Sequence, residues 1–226
     1  MKTFLSIIAF FTVTIGFSQN NPLHYLDSIE LINRYTPEIL MKHSIDYPIY
    51  RVYEFNDLNG DHELVLTEKP SGEKFIDSIK AFCFAIHNSE RTLEWQLTDF
   101  IIHPKDGQAE TSIWFWTKHL RLEDLDDNGI IDPIVVYGTS GKYGTENGRL
   151  KILIYLNGKK YGIRHQNSGM DFGRNTTVDK AFYSLSSEIQ LFVHKLMQTI
   201  QNNGNVIFPA GWEENMKKQK LYFDEN

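Results

Sequence analysis

Apolar and polar positions alternate through most of this chain, and only its two ends depart from that rhythm. From Pro22 to about Met41 apolar residues recur at mixed spacing (Leu23, Leu26, Ile29, Leu31, Ile32), which predicts one or two short helices. From Tyr47 the texture becomes that of strands. Tyr50, Val52 and Phe55 lead into Asp57-Leu58-Asn59-Gly60-Asp61, and Leu64-Val65-Leu66 follow. That order predicts a hairpin with the Asn-Gly step at its turn. Strand-type patterns recur over 74–86, over 91–102 with Leu93, Trp95 and Leu97 on one face, over the aromatic-rich stretch 111–118, and over 130–137. The clearest hairpin is 150–156 with 159–165, because Asn157-Gly158 suits a two-residue turn that needs positive φ at both positions.

Near the C-terminus the period changes to that of a helix. Ser187 and Gln190 have the spacing of a capping box, and Ile189, Phe192, Val193, Leu196, Met197 and Ile200 fall on one stripe. Gly204 stands where a helix usually ends. Successive hairpins, an N-terminal helical segment and a C-terminal amphipathic helix together predict an α+β fold with a mainly antiparallel sheet. With no repeat of fixed period and no linker, residues 19–226 are expected to form one domain.

The first residues carry a different message. Lys2 precedes an apolar run over 4–17 broken only by Ser6, Thr12, Thr14 and Gly16, and Gly16 and Ser18 are small residues at −3 and −1 of a cut before Gln19. This three-part pattern predicts a signal peptide over residues 1–18 and export to the periplasm or cell envelope. The run is shorter than the ~20 apolar residues a membrane helix needs, and no later stretch is apolar enough to span a bilayer. No cysteine follows the run, so lipid attachment of the lipoprotein kind is not expected.

Composition narrows the partners. With 29 acidic and 23 basic residues the formal charge is −6, and there is no basic cluster. That argues against nucleic acid and anionic membrane surfaces as partners. Cys83 is the single cysteine, so no intrachain disulfide is available. Alternating with Ala81 and Ala85, it is expected to be a buried structural thiol.

The sharpest local motif is Asp124-Leu125-Asp126-Asp127-Asn128-Gly129-Ile130-Ile131-Asp132. Side-chain oxygens stand at positions 1, 3, 5 and 9 of a calcium loop (Asp124, Asp126, Asn128, Asp132), glycine at position 6, and the Ile130 carbonyl at position 7. Calcium takes six to eight hard oxygen ligands, and alternate residues of a tight loop can turn that many inward. Position 12 is Val135 instead of the bidentate Glu of a helix–loop–helix site, and the stretch that follows reads as a strand. The loop therefore resembles the calcium loops of FG-GAP repeats, with a structural ion and Ile131 pinning the loop to the core. A metal-free Asx-rich turn is the alternative. The segment 57–63 has a similar look, but His62 stands where the glycine belongs, so a plain hairpin turn accounts for it.

Other stretches carry weaker chemistry. Trp114 and Trp116 share one side of a strand, which suits either glycan stacking or a core, with at least one expected in the core. The glycines of 137–148 predict a flexible loop; Gly141-Lys142 is followed by Tyr143 and not by the Ser or Thr of a phosphate loop. His165 and Asp171 are the candidate base and orienting carboxylate if the protein is catalytic. No nucleophile elbow, zinc-protease helix or cysteine–histidine signature is present. Asn175-Thr176-Thr177 matches a glycosylation acceptor.

Several segments together resemble a known family: Arg51-Val52-Tyr53-Glu54-Phe55, Glu63-Leu64-Val65-Leu66-Thr67-Glu68, Ser112-Ile113-Trp114-Phe115-Trp116-Thr117-Lys118, the stretch 124–138, and Gly162-Ile163-Arg164-His165-Gln166. They are similar to a family of exported Bacteroidota proteins labelled surface polysaccharide (lipopolysaccharide) biosynthesis, from about residue 50 to the C-terminal helix. The label implies a process and not a reaction, and it brings no catalytic residues. The expectation is a non-catalytic envelope protein whose partner is an envelope glycan or an envelope protein. A glycan-active enzyme and a protein-interaction module are the alternatives.

Overall fold

The computed structural model describes residues 24–103, 109–142 and 144–225, so the signal segment and Tyr143 lie outside the described residues. Two short helices open the described chain, as the mixed spacing predicts. In α1 (Ser28–Arg34) the Asp27 side chain accepts from the Ile29 and Glu30 amides while Glu30 reaches back to the Asp27 amide, a complete capping box. In α2 (Pro37–Lys42) Thr36 caps and Pro37 takes the first position, where its missing N–H has no helical partner to lose.

Four long strands follow as an antiparallel meander: β1 (Ile49–Asp57), β2 (Gly60–Ser71), β3 (Phe75–His87) and β4 (Glu90–Phe100). A second antiparallel sheet holds β5 (Ser112–Phe115), β6 (Arg121–Glu123), β7 (Asp132–Ser140), β8 (Arg149–Leu156), β9 (Lys159–Gln166), β10 (Asn175–Val178) and β11 (Tyr222–Asp224). Its order is β11-β10-β9-β8-β7-β5, with β6 also paired to β7. α3 (Ser187–Asn202) and α4 (Trp212–Lys217) lie between β10 and β11 in the chain. The fold is α+β and mainly antiparallel, as expected.

Burial shows four layers. Between the sheets lies a core of Tyr53, Leu64, Leu66, Ile79 and Trp95 against Ile113, Phe115, Val135, Leu153 and Tyr155. The outer face of the second sheet (Ile134, Ile152, Ile154, Ile163) is covered by the α3 stripe of Ile189, Val193, Leu196, Met197 and Ile200, with Trp212 and Met216 of α4. The outer face of the first sheet (Val52, Val65, Phe82, Phe84) is covered by Leu26, Leu31, Tyr35, Ile39 and Ile45. Each fully buried aliphatic side chain contributes roughly 1.5–3 kcal/mol. Both sheets carry apolar residues on both faces because both faces are covered. Among the described residues no helix is long and apolar enough to cross a membrane.

Two buried carboxylates are paired with arginines. Glu63, 1% exposed, receives Arg91 Nε at 2.7 Å and the Tyr35 hydroxyl at 2.5 Å, and also pairs with Arg34 Nη2. Glu110 receives Arg149 Nε at 2.5 Å and Nη2 at 2.7 Å, while Arg149 Nη2 also donates to the Phe100 carbonyl, which joins the end of β4 to the second sheet.

Four local expectations need correction. The turn between β1 and β2 is made by Leu58-Asn59, with Asp57 opposite Gly60, so Gly60 (φ +118) opens the next strand and is not a corner residue. Leu93 does not share a face with Trp95 and Leu97. Cys83 pairs with Trp95 and Phe84 with Leu93, which leaves Glu94 as an extra residue in a β-bulge and leaves Leu93 exposed. The cap of α3 is Ser186, whose Oγ accepts from the Ile189 amide, and not Ser187. The stretch 137–148 does not begin as a loop, because β7 runs to Ser140. Two of its glycines serve close packing. A Cβ on Gly138 would lie 2.6 Å from the Trp116 ring, and one on Gly148 only 1.8 Å from the Thr139 carbonyl oxygen. The turn between β8 and β9, by contrast, is as expected, with Asn157 at φ 48 and Gly158 at φ 72.

Candidate functional site

Two Asx-rich loops meet at one end of the sandwich. In the 124–132 loop, Asp124 Oδ1 accepts from the Asn128 amide at 3.1 Å and Oδ2 from the Gly129 amide at 2.7 Å. Asn128 Oδ1 accepts from the Ile130 amide at 2.8 Å, and Asp132 Oδ2 from the Leu125 amide at 3.1 Å. Positive φ at Asp127 (56) and Gly129 (82) makes this curl possible. Of the five expected ligands, the loop brings the carboxylates of Asp124, Asp126 and Asp132 within 4.8 Å of one another. Asn128 turns its side-chain oxygen to the backbone instead. β7 begins at Asp132, and Ile131 packs on the inter-sheet core, both as the motif predicts.

The β1–β2 turn docks against this loop. The Leu58 amide donates to the Gly129 carbonyl at 2.9 Å, and the Ile131 amide donates to Asp57 Oδ2 at 3.0 Å. Burial pushes the Asp132 carboxyl up to about 6, and repulsion from Asp126, Asp124 and Asp57 adds to it. Several carboxylates in one small space disfavour their own charge unless a cation joins them.

Beside the docked loops lies a cleft of about 230 Å³, lined by Phe55, Asp57, His62, Cys83, Glu94 and Trp95 from the first sheet and Ile130, Ile131 and Tyr155 from the other side. Its polar centre is a chain of contacts. His62 Nε2 is 3.2 Å from Asp57 Oδ1, and His62 Nδ1 is 3.2 Å from Glu94 Oε2, which also takes the Cys83 thiol at 3.5 Å. The Glu94 hydrogen bond holds His62 above the ordinary histidine value, against desolvation, with Asp57 adding to it. Burial pushes the Cys83 thiol well up, and Glu94 pushes it further, so in this state it is no nucleophile. Phe55 stacks on the His62 ring at 4.9 Å, and Trp95 stacks on Tyr155 at 3.6 Å.

His165 and Asp171 are not brought together. His165, 2% exposed, faces Thr176 at 3.0 Å and Asn167 at 3.5 Å under the ring of Phe208, and burial lowers its pKa to about 4. Asp171 is exposed and paired to Arg174 at 2.6 Å. Among the described residues no hydrogen bond or ion pair joins the two. Trp116 is core and Trp114 packs partly against it, so they form no open shelf. The Asn175 acceptor match lies within β10, between β9 and β11, with Thr176 fully buried.

Comparison with known proteins adds no relative. No family model matches the chain, and comparison with curated proteins and with solved structures gave no match. The residues that sequence reasoning missed are Asp57, His62 and Glu94. The Asp57-x-x-x-x-His62 spacing was visible, but the bulge that turns Glu94 toward them has no signature in an alternating pattern.

Proposed function

We propose that this is a non-catalytic exported envelope protein that supports surface-polysaccharide assembly by binding, with calcium stiffening the 124–132 loop. The observation that carries the reading is the docking of the β1–β2 turn on that loop, with Asp57, Asp124, Asp126 and Asp132 acting on one another beside a cleft. An ion held by Asp124, Asp126 and Asp132, with the Asn128 side chain and the Ile130 carbonyl completing the set after a local turn, would cancel that repulsion. It would also fix Ile130 and Ile131, which form one wall of the cleft. The cleft lining sets aromatic rings (Phe55, Trp95, Tyr155) beside polar groups (Asn59, Glu94, Asn157), the mixture that suits a sugar. The resemblance to exported polysaccharide-biosynthesis proteins supports the same choice of partner.

The test is a pair of measurements on the purified protein. Calcium at a hundredfold excess over its dissociation constant stabilises the folded state by about 2.7 kcal/mol. Chelation should therefore lower the melting temperature by roughly 5–10 °C in a chain of this size, and Asp126→Ala should remove the difference. An unchanged melt sinks the calcium part. Equilibrium binding to purified envelope polysaccharide tests the partner, and a folded protein that binds none sinks that part.

A further inference from the structure

We propose that His62, Cys83 and Glu94 form a second metal site, for a borderline-soft divalent ion of the zinc class, with Asp57 as the residue that orients His62. This site is separate from the calcium loop and does not rest on it.

Four observations lead there. The first is the donor set: an imidazole, a thiol and a carboxylate have their ligand atoms within 4.8 Å of one another. Nitrogen and sulfur donors select zinc over calcium or magnesium. The second is dimension. Zinc bonds of about 2.3 Å to sulfur and 2.0 Å to nitrogen or oxygen, set in a tetrahedron, separate sulfur from oxygen by about 3.5 Å and nitrogen from oxygen by about 3.3 Å. The structure has Cys83 Sγ to Glu94 Oε2 at 3.5 Å and His62 Nδ1 to Glu94 Oε2 at 3.2 Å.

The third is the surroundings of the ligands. His62 presents its other nitrogen to Asp57 Oδ1 at 3.2 Å, the carboxylate–histidine arrangement that fixes a ligating imidazole. Asp57 is held in turn by the Ile131 amide. Glu94 reaches the cluster only because the β-bulge turns it there, and such bulges recur beside functional sites. The fourth is an orphan. The Tyr155 hydroxyl is buried, has no hydrogen-bond partner among the described residues, and belongs to a residue lining the same cleft as Cys83. A buried hydroxyl without a partner loses free energy unless something in the cleft accepts from it. A metal-bound water or a ligand oxygen at the fourth position would do so.

Binding replaces the proton on Cys83 Sγ and the proton between His62 Nδ1 and Glu94 by bonds to the ion, and both protons leave to solvent. His62 keeps its Nε2 proton and donates it to Asp57 Oδ1. Three protein ligands and an open fourth position facing the cleft are the pattern of zinc sites that take a substrate or exchangeable ligand.

Cobalt(II) titration of the chelator-treated wild-type protein tests this. The expected result is a thiolate-to-cobalt charge-transfer band that saturates at one cobalt per chain and is bleached by zinc. Cys83→Ser should lose the band, and His62→Gln should weaken binding at least tenfold. Asp57→Asn should weaken it by about 10–100-fold. Asp126→Ala should leave the band unchanged, which separates this site from the calcium loop. The wild-type titration needs no variant to fold: absence of the band in the folded protein overturns the proposal. So does a band that survives His62→Gln at full affinity, or one that is lost in Asp126→Ala.

Discussion

The Ile131 amide donates to Asp57 Oδ2 at 3.0 Å although 74 residues separate the two. With the Leu58 amide bonded to the Gly129 carbonyl, this bond makes the turn of the first sheet and the acidic loop of the second a single rim. The other oxygen of Asp57 accepts the Asn59 amide at 2.7 Å and faces His62 Nε2 at 3.2 Å. Asp57→Ala should therefore strand the Ile131 and Asn59 amides and a ring nitrogen together, at a cost of about 2 kcal/mol after relief of repulsion at Asp132. Urea unfolding reads this directly, and a loss of under half a kcal/mol would show that the rim is held by Leu58 and Gly129 alone.

Glu63 gives a larger effect. It is buried among Arg34, Arg91 and Tyr35, and removing one member of a buried charge network leaves the others uncompensated. Glu63→Ala should cost about 3–5 kcal/mol in equilibrium unfolding, more than Arg34→Ala, because Arg34 is the partly exposed member of the set.

Acid should act through His165. Its folded pKa is lowered to about 4 by burial, against the ordinary 6.5, so the unfolded chain binds a proton that the folded one refuses. Its contribution is complete above about pH 6.5, falls as pH drops toward 4, and amounts to about 3 kcal/mol. Stability measured from pH 7 to 4.5 should decline more steeply for the wild type than for His165→Gln. Parallel curves would remove His165 as the cause.

Two glycines make a controlled comparison. At Gly158 a Cβ meets nothing within 4 Å, so Gly158→Ala should cost only the strain of positive φ, about 1 kcal/mol. At Gly148 the Cβ would collide with the β7 backbone at Thr139, and Gly148→Ala should cost about 3 kcal/mol or prevent folding. Thermal melts of the two variants check the ranking.

What was legible in the sequence follows from range. The Asn157-Gly158 turn, the α3 stripe, the two N-terminal helices and the strand after Asp132 are set by residues a few positions apart, and the structure has them. The bulge at Glu94 depends on how β4 meets β3, and a clean alternation of Leu93, Trp95 and Leu97 conceals it. The helices covering both sheets make strands look two-sided, and no period shows which face meets which layer. Cys83 is buried, as its alternation with Ala81 and Ala85 predicts, and its neighbours His62 and Glu94 come from adjacent strands that only the register aligns. For Gly138 and Gly148 a sequence does not show the Trp116 ring and the Thr139 carbonyl that pack against them.

The bulge has one more consequence. β4 is a free edge of the four-stranded sheet, long and carrying exposed Leu93 and Phe100. An unbroken edge of that kind invites a strand from another molecule to continue the sheet, which is how folded proteins begin to aggregate. At Glu94 the register with β3 shifts by one residue, and such a bulge bends and twists the strand that carries it. The bulge that completes the cleft therefore also leaves an incoming strand no straight template to copy.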